Sequence, residues 1–581
     1  MSTVVGLPDR WLTDWERSGR MPFYTRANAG EVLADPASPL GWTLVFEKGL
    51  LPGWLRGLVE FGIYREGELS MERPPVAGLF GGYFYINLSH CRVVAIRMGM
   101  TVEAFDAALL GSAAGAPPYR PHPDDPCGEC SAKVAQTIGE ILAASQFPQI
   151  DADTERVLAK RRGRPDLAAL PDADLVAHAR SFLPELDNAF ARHDYSTFGS
   201  AVGPAMLAEA CAAAGEPAAL LDLISGFGEV PSASPSWGLW QLSRLVNASP
   251  ELRALFDQGV PAVSAAMAAS SNTTFAEALD GFLADFGQRG PNEWDIRAVS
   301  WEAGPDQVLA LVDSMRHIPD EDSPDARHAR LEATRQAAAG RIRGALPDDA
   351  SRASFDVALL SSARTIPLRE QTKLIAVTVI NEVRLAMREL GRRGVAAGYY
   401  AAPEDVMMLL ESELDDYVAD PARFAPVIAE RLAQYLALFA IEPPFIIDAD
   451  PDPLPRWPRR ARPRPESARA GEMLKGIGGS AGQYQGRARV GMDLSAAMAL
   501  EPGEILVAPL TDAAWTPLFL VAGAVVVDVG ALNSHAVVVS RELGIPCVLS
   551  LADATARLRD GMELAVDGTA GTVTVMSAGR S

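Results

Sequence analysis

The stretch that most constrains the fold is 524–549, AVVVDVGALNSHAVVVSRELGIPCVL. A β-branched run passes into a small-residue loop, Gly530-Ala531-Leu532-Asn533. Ser534 then stands where a helix cap is expected, and His535 opens a helix that Gly544 closes ahead of Pro546. A histidine placed there lies among free backbone N–H groups whose field favours an anion. A phosphoryl group on the imidazole would be stabilised, and the same field disfavours imidazolium, leaving a ring nitrogen nucleophilic near neutral pH. Taken alone, the residue also reads as a polar cap on an ordinary strand-to-helix loop.

The surroundings extend this pattern into a domain. Gly486–Val490, Ile505–Ala508, Ala524–Val529, Cys547–Leu549, Met562–Val566 and Thr572–Met576 read as strands, and Asp567-Gly568 as a turn. Residues 471–581 are therefore expected to form a compact α/β domain. Its opening stretch GIGGSA fits G-x-G-x-x-A but lacks the strand and helix of a dinucleotide site, so a tight turn is expected. Ahead of it, 451–470 (PDPLPRWPRRARPRPESARA) reads as an extended, solvated Pro/Arg linker, a hinge of about 3.1 Å per residue.

From about 130 to 440, apolar residues recur at helical spacing, as in Ala205–Ala214, Phe275–Phe286, Thr372–Arg393 and Val427–Phe439. Residues 1–115 mix β-like runs (WTLVFE, GGYFYINLS) with apolar turns. The chain thus reads as multidomain α/β. A mainly helical domain over 1–450, with a small N-terminal mixed α/β part, precedes the linker and the C-terminal domain.

At 581 residues and a formal charge of −22, the chain is not expected to bind nucleic acid, which requires clustered positive charge. Its five cysteines (Cys91, Cys127, Cys130, Cys211 and Cys547) suit a reducing compartment better than a disulfide framework. Cys127 and Cys130, near His122, form a single CxxC read as an exposed turn, with no metal expected. Neither a basic-then-apolar leader nor a long apolar span is evident, so a cytoplasmic protein without membrane association is expected.

The block TDAAWTPLF…GAVVVDVGALNSHAVVVSRELGIPCVL resembles the swivelling phosphohistidine domain of the phosphoenolpyruvate-utilising enzymes. The likeness covers 471–581, from GIGGSAGQYQGRARV to LRDGMELAVDGTAGTVTV, with Ala531 where relatives often have a second glycine. It implies a β/β/α fold in which His535 is phosphorylated on its ring and moves between two distant sites. Four further pieces resemble the acceptor domain of rifampin-phosphotransferase-like proteins: 23–45, GYFYINLS at 82–89, FLADFGQRGPNEWDI at 282–296 and REQTK at 369–373.

Arg369 and Lys373 are one helical turn apart, with Glu370 beside them. Two such cations can hold the oxygens of a phosphoryl group in flight, and the resemblance assigns the pair that role. They also read as the solvated start of an apolar helix. Glu370 is expected to orient Arg369, while Arg289, Glu293 and Asp295 are expected near the acceptor. Gln288 stands where relatives usually carry histidine, and His90 is expected to be a buried, hydrogen-bonded residue. The aromatics Phe23, Trp42, Phe46 and Tyr83 would line an apolar cavity or form core.

No ATP-grasp region and no GxxxxGK[ST] loop is legible. The implied function is the phosphohistidine-carrying subunit of an ATP-dependent dikinase-type phosphotransferase. It would act on a hydroxyl of a small organic, aromatic or apolar acceptor, in a split layout similar to that of phenylphosphate synthase. This chain would bind no cofactor; ATP and Mg2+ would come through a separate ATP-grasp-type partner. A non-catalytic phosphocarrier and a split rifampin-type antibiotic phosphotransferase are the alternatives.

Overall fold

The computed structural model describes residues 6–70, 72–73, 75–110, 116–228, 230–268, 273–460, 466–530, 534–551 and 553–577. Ala531, Leu532 and Asn533 of the histidine loop lie outside these. The chain is multidomain α/β, with a helical middle and a C-terminal sheet domain. It divides into two compact units that a linear partition does not anticipate. Unit 1 holds Met1–Gly199, Asn292–Ala298 and Thr372–Ala461; unit 2 holds Ser200–Pro291, Val299–Gln371 and Arg462–Ser581. The expected single domain over 1–450 is thus shared between them. Long helices contribute to both: α1 (Leu183–Ala213) and α3 (Asp349–Ala396), whereas α2 (Pro324–Ala345) lies in unit 2.

In unit 1 the strands β1 (Tyr24–Thr25), β2 (Ala77–Phe80), β3 (Tyr83–Asn87) and β4 (Ile446–Ile447) form an antiparallel sheet in the order β2-β3-β1-β4. The β-like run Trp42–Glu47 is not a strand; Gly41–Leu50 is a wide-turn helix. Every apolar side chain of WTLVF is buried, and a wholly buried short run carries no period that separates strand from helix. Trp42 stacks on Phe46 at 5.3 Å and Phe46 meets Phe84 at 5.6 Å, so these aromatics pack as core.

Two other expectations change. Cys127 caps the helix Gly128–Ala143 and is bonded to Cys130, because the first helical turn brings their Cα atoms to 5.1 Å. The linker is also shorter than its composition suggests. Leu454 and Trp457 are buried in the core of unit 1, where Gly81, at φ +60°, leaves room for the indole. Ala468 is buried in unit 2, its N–H bonded to the Arg557 carbonyl at 2.9 Å. Apolar residues inside a Pro/Arg stretch pack when a neighbouring surface offers a slot, which composition does not show.

The C-terminal domain adds β5 (Met473–Lys475), β6 (Ile477–Ser480), β7 (Gln483–Val490), β8 (Ile505–Ala508), β9 (Ala524–Val527), β10 (Cys547–Leu549), β11 (Glu563–Asp567) and β12 (Thr572–Ser577). They form one mixed sheet, β5-β12-β11-β7-β8-β9-β10-β6. GIGGSA is therefore largely strand, not a turn; Cys547–Leu549 supplies the antiparallel partner. The strands β7, β8, β9 and β10 run parallel. Continuous apolar runs such as AVVV belong to such strands, which are covered on both faces. Helices α4 (Thr516–Val521) and α5 (His535–Leu543) make the crossovers β8–α4–β9 and β9–α5–β10. Among the described residues, no helix is long and apolar enough to cross a membrane.

Candidate phosphohistidine site

His535 sits where the parallel strands deliver ligands and reactive groups, beyond their C-terminal ends. Ser534 is extended (φ −69°, ψ 162°), His535 is the first helical residue, and Gly544 ends α5 in the left-handed conformation. Thr511 follows β8 and Thr516 opens α4, so the neighbouring crossover brings both to the imidazole. Thr511 Oγ1 lies 3.1 Å from Nδ1 and Thr516 Oγ1 lies 2.8 Å from Nε2. The Phe519 ring meets the imidazole edge-on at 5.8 Å. Two threonine hydroxyls and an aromatic edge thus fix the plane of the ring. Sequence reading passed over these threonines, although both lie in the TDAAWTPLF block.

Unit 2 also places this histidine beside part of the expected transfer cluster. The Thr516 hydroxyl donates to the Ser232 carbonyl at 3.4 Å, and the Ser232 hydroxyl donates to Glu370 Oε2. Glu370 Oε1 in turn accepts from Arg369 Nη1 at 2.8 Å. His535, Thr516, Ser232, Glu370 and Arg369 therefore form one connected series. Pro367, inside α3, has no N–H to offer the carbonyl of Ala363 one turn earlier. A cavity of about 660 Å³ lies here, walled by Phe227, Pro231, Trp237, His328, Arg364 and Leu368 among others. Pro231 and Gln371, also on its wall, are the chain neighbours of Ser232 and Glu370.

The other expected site residues are distributed as follows. In unit 2, Arg289 is buried, and its carbonyl accepts from Trp301 N at 2.7 Å; the Gln288 side chain donates to the Asp285 carbonyl. In unit 1, Lys373 pairs with Glu293 at 3.6 Å. Asp295 accepts from Ser38 N (2.7 Å), Ser38 Oγ (2.6 Å) and Arg297 N (2.8 Å). Buried Arg384 donates to the carbonyls of Glu293 and Asp295, fixing this short loop from below. His90 is buried, with Nδ1 at 2.9 Å from the Tyr64 hydroxyl, as its sequence context suggests. Burial, aided by Arg97, lowers its pKa to about 3.

Comparison with known proteins matches two parts of the chain. The rifampicin phosphotransferase fourth domain matches residues 193–370, and the mobile domain of PEP-utilising enzymes matches residues 500–571. The rifampicin phosphotransferase of Streptomyces sviceus is 32% identical over 314 residues, 52% of this chain and 35% of that protein. The prodigiosin synthesizing transferase PigC of Serratia marcescens is 31% identical over 357 residues, 59% of this chain and 39% of PigC. For the Bacillus subtilis rifampicin phosphotransferase the identity is 28% over 306 residues, covering 52% and 34%. This chain thus spans little more than a third of the length of these relatives. The match at 500–571 contains His535 with both of its threonines, and the match at 193–370 contains Ser232, Arg369 and Glu370: over these two segments the chain is similar to the mobile domain of the PEP-utilising enzymes and to the fourth domain of rifampicin phosphotransferase.

Proposed function

We propose that this chain carries a phosphoryl group on His535 and transfers it to a hydroxyl of a small organic acceptor. The observation that supports this best is the series from His535 through Thr516 and Ser232 to Glu370 and Arg369. In the first half-reaction a ring nitrogen of His535 attacks a phosphorus of the donor nucleotide; an N–P bond forms and a P–O bond of the donor breaks. The donor is ATP held with Mg2+ by a separate ATP-grasp-type protein. In the second, the acceptor oxygen attacks that phosphorus, the N–P bond breaks, and the acceptor gives up its hydroxyl proton. Arg369 and Lys373 offset the charge on the group in flight, and Glu370 orients Arg369. Arg289 and Glu293 act at the acceptor end, with Asp295 holding their loop in place.

The cavity beside Glu370 is the acceptor pocket of this reading. Phe227, Trp237 and Leu368 favour an aromatic or apolar molecule, and a phenolic or enolic hydroxyl deprotonates more readily than a simple alcohol. The names of two relatives favour a second reading of the acceptor, rifampicin itself.

The test is to charge the chain with labelled ATP and an ATP-grasp partner, isolate the acid-labile phosphoprotein, and offer it phenols and rifampicin. Label on His535 that discharges to one of them is the expected result. If the wild-type chain takes no acid-labile label, or keeps it before every acceptor, the transferase reading fails.

A further inference from the structure

Helix α5 carries two functional ends. His535 stands at its start; two turns later come Arg541 and Glu542, adjacent in sequence and opposite in use. Arg541 Nε donates to the Gly479 carbonyl at 2.8 Å, inside the mobile domain, and its side chain ties α5 to β6. Glu542 is 2% exposed, yet its carboxylate is bonded from the helical part of unit 2. Its Oε2 accepts from Gly228 N at 2.9 Å; burial raises the pKa of this carboxyl, and the Gly228 and Phe227 amides oppose that rise.

The receiving turn is built for an anion. Gly226 (φ +64°) and Gly228 (φ +87°) flank Phe227 in a conformation that few other residues adopt, and it aligns consecutive N–H groups. Arg335 of α2 fixes the turn from the other side: its Nη1 donates to the carbonyls of Ser225 (2.9 Å) and Gly226, and its guanidinium lies 5.1 Å from the Phe227 ring centre. Its positive charge also favours the Glu542 carboxylate. Around this point the mobile domain rests on apolar contacts. Leu518, Phe519 and Val521 share a core with Leu239, Leu311 and Met315, while Leu331 packs on Gly544. Apolar packing supplies affinity without direction, whereas a carboxylate between two amides fixes register.

We propose that Glu542 is a docking latch: it seats the mobile domain on the Phe227–Gly228 turn in the register that brings His535 to the Ser232–Glu370–Arg369 series. Glu542 is a positioning residue, acting through the placement of His535. The latch is reversible by construction. When the domain leaves, the carboxylate regains water and the two amides are solvated, so no buried charge is stranded. The docked state still rewards only the correct register, because a misplaced Glu542 would be desolvated without partners.

The catalytic half of this inference rests on the proposed phosphotransfer; the structural half does not, and the experiment separates them. Amide hydrogen exchange of the full-length chain reads the latch directly. Phe227 and Gly228 are expected to be protected in the wild type, to exchange at least tenfold faster in Glu542→Ala, and to stay partly protected in Glu542→Gln, whose amide oxygen still accepts. Unchanged exchange in Glu542→Ala overturns the latch, whatever the chemistry. With a charging partner, Glu542→Ala should take label on His535 at the wild-type rate and discharge it at least about tenfold more slowly, as loss of a hydrogen bond to a charged group predicts. Discharge at the wild-type rate overturns the positioning role. Absence of label in the wild type would instead count against the phosphotransfer reading and leave the exchange result standing.

Discussion

Two histidines in this chain share a local design and differ in everything else. His90 and His535 both follow a strand, a polar cap residue and the start of a helix: Tyr83–Asn87 leads to His90, and Ala524–Val527 leads to His535. His90 is the third helical residue; its N–H is capped by Asn87 Oδ1 at 2.9 Å and its ring is closed in by Tyr64. His535 is the first helical residue, half-buried, with a threonine hydroxyl at each ring nitrogen. A two-residue shift along the helix turns the ring from the core to the rim. Helix N-terminal placement alone therefore does not make a nucleophile; the surrounding side chains decide whether the ring is sealed or presented.

The comparison breaks first at the phosphoprotein. His535→Ala is expected to abolish acid-labile labelling, whereas His90→Ala should leave the label in place on whatever chain folds. Labelled His535→Ala would transfer the role to another residue and end the contrast. The next effect is at Arg369. Arg369→Ala should charge normally but discharge about 10²- to 10³-fold more slowly, the range for losing one preorganised donor to a transferring group. Single-turnover decay of isolated phosphoprotein measures it, and an unchanged decay constant removes Arg369 from the transfer step.

What the sequence disclosed follows from how local each signal is. The strands of the C-terminal domain and helix α5 were legible because AVVV, the extended Ser534 at the helix start and Gly544 act within a few residues of one another, although the Ser534 side chain makes no cap hydrogen bond. Arg369 with Glu370 was legible for the same reason. The Thr516 hydroxyl, the Ser232 carbonyl and the Phe227–Gly228 turn were not, since Ser232 and Thr516 are separated by 284 positions and only the fold brings them together. Trp42–Glu47 misled because total burial erases periodicity. Asp295 is expected near the acceptor from the stretch at 282–296; that its carboxylate accepts from Ser38 and Arg297 N is visible only in three dimensions.

A smaller effect is expected at Thr516. Thr516→Val keeps the shape of the side chain and removes the hydroxyl that touches both His535 Nε2 and the Ser232 carbonyl. One neutral hydrogen bond is worth about 0.5–1.5 kcal/mol, so discharge should slow by roughly two- to twelvefold. Thr511→Val touches only Nδ1 and should slow discharge less. Equal effects from the two would mean that both threonines merely orient the ring, with no contribution from the Ser232 contact.

The subtlest distinction is in pH. Burial holds the folded-state pKa of His90 near 3, against 6.5 for the unfolded chain, so the unfolded state binds the extra proton between those values. The associated stability is fully present above about pH 6.5 and is lost as pH falls toward 3, with a slope of at most about 1.4 kcal/mol per pH unit. Asp14, whose pKa burial raises to about 6, acts in the opposite sense: its protonation favours the folded state as pH falls from 6 toward 3.8. The wild-type slope is therefore a difference of opposing contributions, and the measurement must isolate one. His90→Gln can keep a polar contact to Tyr64 but cannot titrate. Its unfolding free energy should decline less steeply than that of the wild type between pH 6.5 and 4, in urea titrations across that range. Parallel slopes would show that His90 takes up its proton in the folded state as readily as in the unfolded one, and the sealed ring would no longer contrast with the presented one.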